Sequence, residues 1–94
     1  MPAFCVGQIH VRDVAAWEEY CDRVGNTIKQ YGGEVLFRGQ RERIFSGNML
    51  HDKVVVLRFE DIVAANRWHD SPDYQSLISI RDQGADVTLV LYES

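Results

Sequence analysis

Two segments, Val54-Val55-Val56-Leu57 and Leu89-Val90-Leu91-Tyr92, are apolar at every consecutive position. Side chains alternate across a strand, so a strand built from either one shows an apolar surface on both of its faces. A chain of 94 residues can build one sheet and one layer of helices, and a domain of that size buries only about 60–65% of the surface its unfolded form exposes. One face of the sheet is then left without cover from the chain itself. The sequence therefore predicts a homodimer, because a two-fold pair packed sheet against sheet closes the arrangement with the fewest parts.

The other elements follow from periodicity and punctuation. Phe4 to Val11 is rich in apolar and β-branched residues and reads as the first strand, ending at Arg12-Asp13. Asp13 is a good helix N-cap, since its carboxylate can accept an otherwise unpaired backbone N–H. Val14, Trp17, Cys21, Val24, Ile28 and Tyr31 then recur at spacings of three and four, which places them on one stripe of a helix stopped by Gly32-Gly33. Glu34 to Phe45 is a second extended segment, with Gly39 suggesting a bulge, and Ser46-Gly47-Asn48 a turn. Lys53 to Phe59 is the third strand. Glu60-Asp61 caps a short helix holding Ala64, Ala65 and Trp68, and Ser71-Pro72-Asp73 starts a further helical piece carrying Tyr74, Leu77, Ile78 and Arg81. Val87 to Tyr92 closes the chain as strand four. The order strand, helix, strand, strand, helix, strand predicts an α+β, ferredoxin-like fold: a four-stranded antiparallel sheet with two helices on one face, in a single domain spanning 1–94.

Composition narrows the range of partners. With 46% apolar and 26% charged residues the chain is globular in type, and 10 basic against 14 acidic residues make it mildly acidic. Nucleic acid and anionic membrane surfaces both call for a basic face, so neither is an expected partner. Met1 to His10 lacks a charged-then-apolar leader, no run approaches the ~20 apolar residues that span a bilayer, and two cysteines make no disulfide framework. The expected location is the cytoplasm.

Several residues fall into a recognisable pattern: Trp17-Glu18-Glu19-Tyr20, Gly32-Gly33, Arg38-Gly39, Gly47, Val55 to Phe59, Ala64-Ala65, Trp68, Ser71-Pro72-Asp73-Tyr74-Gln75 and Arg81. Across nearly its whole length the chain resembles the domain-of-unknown-function family 1330, part of the dimeric α+β barrel group with ferredoxin-like subunits. The stretch from Trp68 to Gln75 is the most specific piece. The resemblance implies the dimeric barrel and assigns no activity, although that wider group includes oxygenases, isomerases and decarboxylases. Two positions depart from the pattern: His69 stands where another aromatic is usual, and Gln40 where a second glycine is common.

Candidate site residues each carry a functional and a structural reading. His10, His51 and His69 have no i, i+4 partner and no carboxylate at ligand spacing, so no metal site is expected. His69-Asp70-Ser71 has the residue types of a hydrolytic triad, but chain neighbours project apart, and capping explains Asp70 and Ser71 better. Gly32-Gly33 lacks the spacing and lysine of a phosphate cradle, which leaves no nucleotide cofactor expected. Cys5 and Cys21 read as core thiols.

His10 shares a strand face with Phe4, Val6 and Gln8. It is either a proton donor or acceptor in a cleft between sheet and helices, or a group bonded across the dimer or exposed at the strand end. Arg38, with the resemblance behind it, either grips a substrate carboxylate in its fork or pairs with a carboxylate of the partner subunit. Tyr20 sits at the margin of the helical stripe, where its hydroxyl can reach a cleft. Trp17, Trp68, His69, Tyr74 and Arg81 are candidate walls of a substrate site, with core packing as the alternative for the aromatics.

Two functional readings follow. The first is an enzyme that works without metal or nucleotide on a small apolar or carboxylate-bearing molecule between sheet and helices, with Arg38 orienting it and His10 or Tyr20 handling a proton. The second is a non-catalytic binding or structural dimer.

Overall fold

The computed structural model describes residues 1–94 throughout. It runs β1 (Ala3–Val11), α1 (Val14–Gln30), β2 (Glu34–Gln40), β3 (Lys53–Phe59), α2 (Ile62–Asp70), α3 (Pro72–Gln75), α4 (Ile78–Gly84) and β4 (Ala85–Glu93). The strands form one antiparallel sheet in the order β2-β3-β1-β4. This is the ferredoxin-like α+β fold expected from the element order, with the second helical element broken into α2, α3 and α4. No helix is long and apolar enough to cross a membrane.

Local chemistry sets the boundaries. Asp13 accepts from the Ala16 N–H at 3.2 Å, Asp61 from Ala64 at 2.9 Å and Ser71 from Tyr74 at 3.1 Å, so α1, α2 and α3 each start on a side-chain cap. Gly32, at φ 75°, supplies the left-handed residue that ends α1. Ser71 also donates to the Trp68 carbonyl at 2.7 Å. It thereby closes α2 and opens α3 with one hydroxyl, which is why the chain can turn there while buried.

Alternate residues of β1 divide the sheet into two different faces. Ala3, Cys5, Gly7 and Ile9 are buried toward the helices. Phe4, Val6, Gln8 and His10 point the other way, Phe4 beside its register partners Arg58 and Tyr92, Val6 beside Val56 and Val90, Gln8 beside Val54 and Thr88, and His10 beside Asp86. Phe37, paired with Val56, and Tyr92, paired with Phe4, extend this open face, and both are 54% exposed. The double-sided apolar pattern of β3 and β4 thus arises from one face packed on helices and one left bare.

The structure corrects three local expectations. The second strand stops at Gln40, and residues 41–52 form an irregular loop. The bulge lies between Val35 and Phe37 rather than at Gly39. Gly39 instead makes room for the Phe37 ring, which a Cβ there would meet at 2.6 Å. Val14 is 63% exposed, so the buried stripe of α1 is rotated toward Ala16, Tyr20, Thr27 and Ile28.

Helix α1 crosses α4 with backbone against backbone. A Cβ on Gly84 would stand 2.6 Å from the Trp17 nitrogen and 2.8 Å from its Cα, neither of which can give way. A Cβ on Gly25, inside α1, would meet nothing within 4 Å. Gly84→Ala is therefore expected to destabilise the fold by at least about 1–3 kcal/mol, and Gly25→Ala to stabilise it by about 0.5–1 kcal/mol. Urea denaturation of the two variants checks the opposite signs.

Candidate functional site

Between α1 and the helix-facing side of the sheet lies a cleft of about 170 Å³. Its roof is Trp17, Tyr20, Cys21 and Val24 from one side of α1, with Trp68 from α2; its floor is Gly7, Val55, Leu57 and Leu89. The cleft exists because aromatic side chains prop the helices apart from the strands. Trp17 stacks on Tyr20 (centroids 5.1 Å), Tyr20 meets Tyr74 edge-on (6.4 Å), Tyr74 packs on Trp68 (4.3 Å) and Trp68 on Phe59 (5.4 Å). Trp68, Tyr74 and Phe59 are the largest fully buried side chains in the molecule.

This array is fixed by hydrogen bonds at its polar tips. The Trp68 indole donates to Thr27 Oγ1 at 3.0 Å, and that hydroxyl donates to the Val24 carbonyl at 2.7 Å. The Tyr20 and Tyr74 hydroxyls are 2.9 Å apart, and an Arg81 guanidinium nitrogen donates to the Tyr74 oxygen at 3.1 Å. Arg81 is held in turn by Asp82 at 3.0 Å. No buried side-chain nitrogen or oxygen lacks a partner. Burial, and then Tyr74 beside it, push the Tyr20 phenol well above its ordinary range, so it stays protonated and acts as a hydrogen-bonding group rather than a base.

The structure brings four of the eight anticipated residues to the cleft: Trp17, Tyr20, Arg38 and Trp68. Tyr74 and Arg81 stand behind Tyr20 and position it. His69 lies instead beside a second hollow, of about 190 Å³, between α2 and the β1–β4 side of the sheet. His10 is not brought together with Tyr20 and Arg38. It is on the bare face of the sheet, its side chain 43% exposed and its Nδ1 3.4 Å from Asp52 Oδ1. There it joins His51, whose Nε2 is 2.8 Å from Asp86 Oδ1, in fastening the end of the 41–52 loop to β1 and β4. No three His, Cys, Asp or Glu side chains are grouped so as to hold a metal ion.

Arg38 reaches the cleft mouth from β2, where its register partner is Val55 of the floor. It forms no salt bridge within the chain. Two lining residues went unanticipated. Lys53 also lines the mouth, and the signal was its parity, since Lys53 shares the helix-facing side with Val55, Leu57 and Phe59. Cys21, expected in the core, is exposed at the cleft wall, whereas Cys5 is buried as expected.

A family model described as a domain of unknown function (DUF1330) matches residues 2–94. No curated protein matches the chain. Among solved structures, a protein of unknown function from Rhodopseudomonas palustris is 19% identical, with a TM-score of 0.84 over 99% of this chain and 82% of that one. A dimeric ferredoxin-like protein of unknown function from Jannaschia sp. CCS1 is 12% identical, with a TM-score of 0.77 over 100% of both chains. SnoaB, a cofactor-independent oxygenase from Streptomyces nogalater, is 13% identical, with a TM-score of 0.72 over 99% of this chain and 92% of that one. At these identities the likeness is one of fold.

The two thiols differ in a measurable way. Burial pushes Cys5 up to about 11, while the same thiol in the unfolded chain loses its proton near 9.0. Between those values the unfolded state binds fewer protons, so this group makes stability fall as pH rises from about 9 toward 11. A chromogenic disulfide reagent at pH 8 is expected to titrate one thiol per native chain, Cys21, and the second only in denaturant. Two fast thiols in the native protein would contradict the packing of Cys5.

Proposed function

The chain belongs to the DUF1330 family, which carries no assigned activity, and from its own cleft we propose that it is a homodimeric domain holding a small, largely apolar, carboxylate-bearing molecule between sheet and helices. The observation that carries this reading is a mostly apolar cleft with an unpaired arginine at its mouth. Apolar walls supply affinity by removing a ring or chain from water, and a guanidinium fork fixes the carboxylate that makes such a molecule soluble. Neither metal nor nucleotide enters the proposal. Trp17 and Trp68 would flank the ligand, and Tyr20, held by Tyr74 and Arg81, would offer it a polar contact.

The homodimer rests on the bare sheet face. Phe37, Val90 and Tyr92 are exposed there beside Phe4, Val6 and Val56, a contiguous apolar surface of the kind that marks an interface. The Jannaschia neighbour, ferredoxin-like as well, is dimeric. The domain, 1–94, would then be the repeated unit, acting in the cytoplasm.

For chemistry within the cleft, SnoaB offers one model, a reaction that needs no cofactor. A cation at the mouth and a protonated phenol in the wall suit a substrate that reacts as a stabilised anion. One observation favours the alternative, a dimer that binds without turnover. No carboxylate or imidazole lines the cleft, and His10, the group best suited to move protons near neutral pH, faces away from it.

Light scattering at micromolar concentration is expected to give twice the 10.8 kDa of one chain, and a monomeric mass would overturn the dimer. The cleft can be read separately, because the only two tryptophans both line it. Benzoate is expected to change their emission saturably. Arg38→Met should weaken that binding about tenfold, the worth of one charge-assisted hydrogen-bonded contact. Emission that benzoate never moves counts against the reading.

A further inference from the structure

Lys53 and Arg38 share the cleft mouth because of strand register. Arg38 pairs with Val55 and Gln40 with Lys53 across the β2–β3 ladder. The two cations are therefore diagonal neighbours on one side of the sheet, with backbones about 7–8 Å apart. Neither forms a salt bridge, in a chain with 14 acidic residues against 10 basic ones. Two adjacent like charges repel, and acidic side chains to neutralise them are plentiful elsewhere, yet none lines this cleft.

The floor below them is shaped by a missing side chain. Gly7 lies in a central strand, and its φ is not positive, so its backbone would accept any residue. A Cβ there would stand 2.9 Å from Val55 Cγ1 and 3.5 Å from Leu89 Cδ1, both residues of the floor. Gly7 thus lets the Val55 and Leu89 side chains lie low in the floor, across the cleft from the ring pair Trp17 and Tyr20, whose planes lie 27° apart. An apolar cavity of about 150 Å³ admits benzene, so this cleft, at about 170 Å³, has room for one aromatic ring with its acidic groups at the mouth.

We propose that the ligand is a single aromatic ring bearing two adjacent acidic groups, its ring over Gly7, one acid on Arg38 and the neighbouring acid on Lys53. This rests on the reading of the cleft as a carboxylate-binding site and adds the second anchor and the ligand class. Arginine offers the planar fork for one carboxylate, and lysine a mobile point charge that follows the second. An ion pair of this half-exposed kind contributes a factor of about five in affinity.

The test is calorimetric titration of the full chain at low salt with phthalate and benzoate, two acids that differ by one adjacent carboxylate. Phthalate is expected to bind about fivefold more tightly. Lys53→Met and Lys53→Gln should erase that preference, Lys53→Arg should retain it, and Arg38→Met should weaken both acids. Benzoate binding with no phthalate preference in the unmodified protein overturns this proposal alone, as does a preference that survives both neutral replacements of Lys53. Absence of binding by either acid, with tryptophan emission unmoved, overturns it together with the carboxylate-site reading.

Discussion

The hydrogen bond between the Tyr20 and Tyr74 hydroxyls joins α1 to the broken helical layer that follows it, and the geometry of the upper half of the molecule depends on it. Tyr74 is completely buried, so its oxygen needs partners, and the two within reach are Tyr20 and Arg81. Meeting that need fixes the rotation of α1, which is why its buried stripe runs through Tyr20 and Thr27 and leaves Trp17, Cys21 and Val24 along the cleft. The rings on either side then act as spacers. Their planes are too large and too well held to let the helix settle onto the strands.

The two faces of the sheet solve different problems. On the helical side, a glycine, a row of aliphatic residues and two cations produce a recess rather than a solid core. On the other side the same strands present aliphatic and aromatic groups with no cover from the chain. His10 and His51, each bonded to an aspartate, close off one end of that surface and tie down the loop beside it. The polar pairs at one end and the apolar residues along the middle give the bare face a rim and a centre, the usual anatomy of a surface that meets protein.

Much of this was legible in the sequence because it depends on local chemistry. Asp13, Asp61 and Ser71 cap helices wherever they precede one, and Gly32 ends a helix by conformational freedom alone. Trp17, Tyr20, Arg38 and Trp68 could be nominated from residue type and resemblance. What escaped were properties set by relations between elements. The 3.6-residue period told that α1 has an apolar stripe, but the same residues admit a rotation that exposes Val14, and the tyrosine contact chooses it. Alternation put His10 on a face with Phe4 and Val6 without saying which face the helices would cover. Gly39 has the mark of a bulge, yet the extra residue is Leu36, and Phe37 fills the space over the glycine. Lys53 is an odd cation in line with the inward-facing Val55, Leu57 and Phe59, a parity that the continuous apolar run of the strand conceals.

Gly7 sets stability and binding against each other at a single atom. A side chain there would fill the recess, add apolar contact between β1, β3 and β4, and remove the entropic handicap of glycine in a central strand. The added contact and the lost handicap favour the folded state once Val55 has moved aside, while the filling removes space that a ligand needs. A sequence under selection for robustness alone would drift away from glycine at this position, whereas one under selection for a working recess would be held to it. The fold can thus pass from receptor to inert scaffold through one substitution that leaves every helix cap, strand pairing and surface charge as it was.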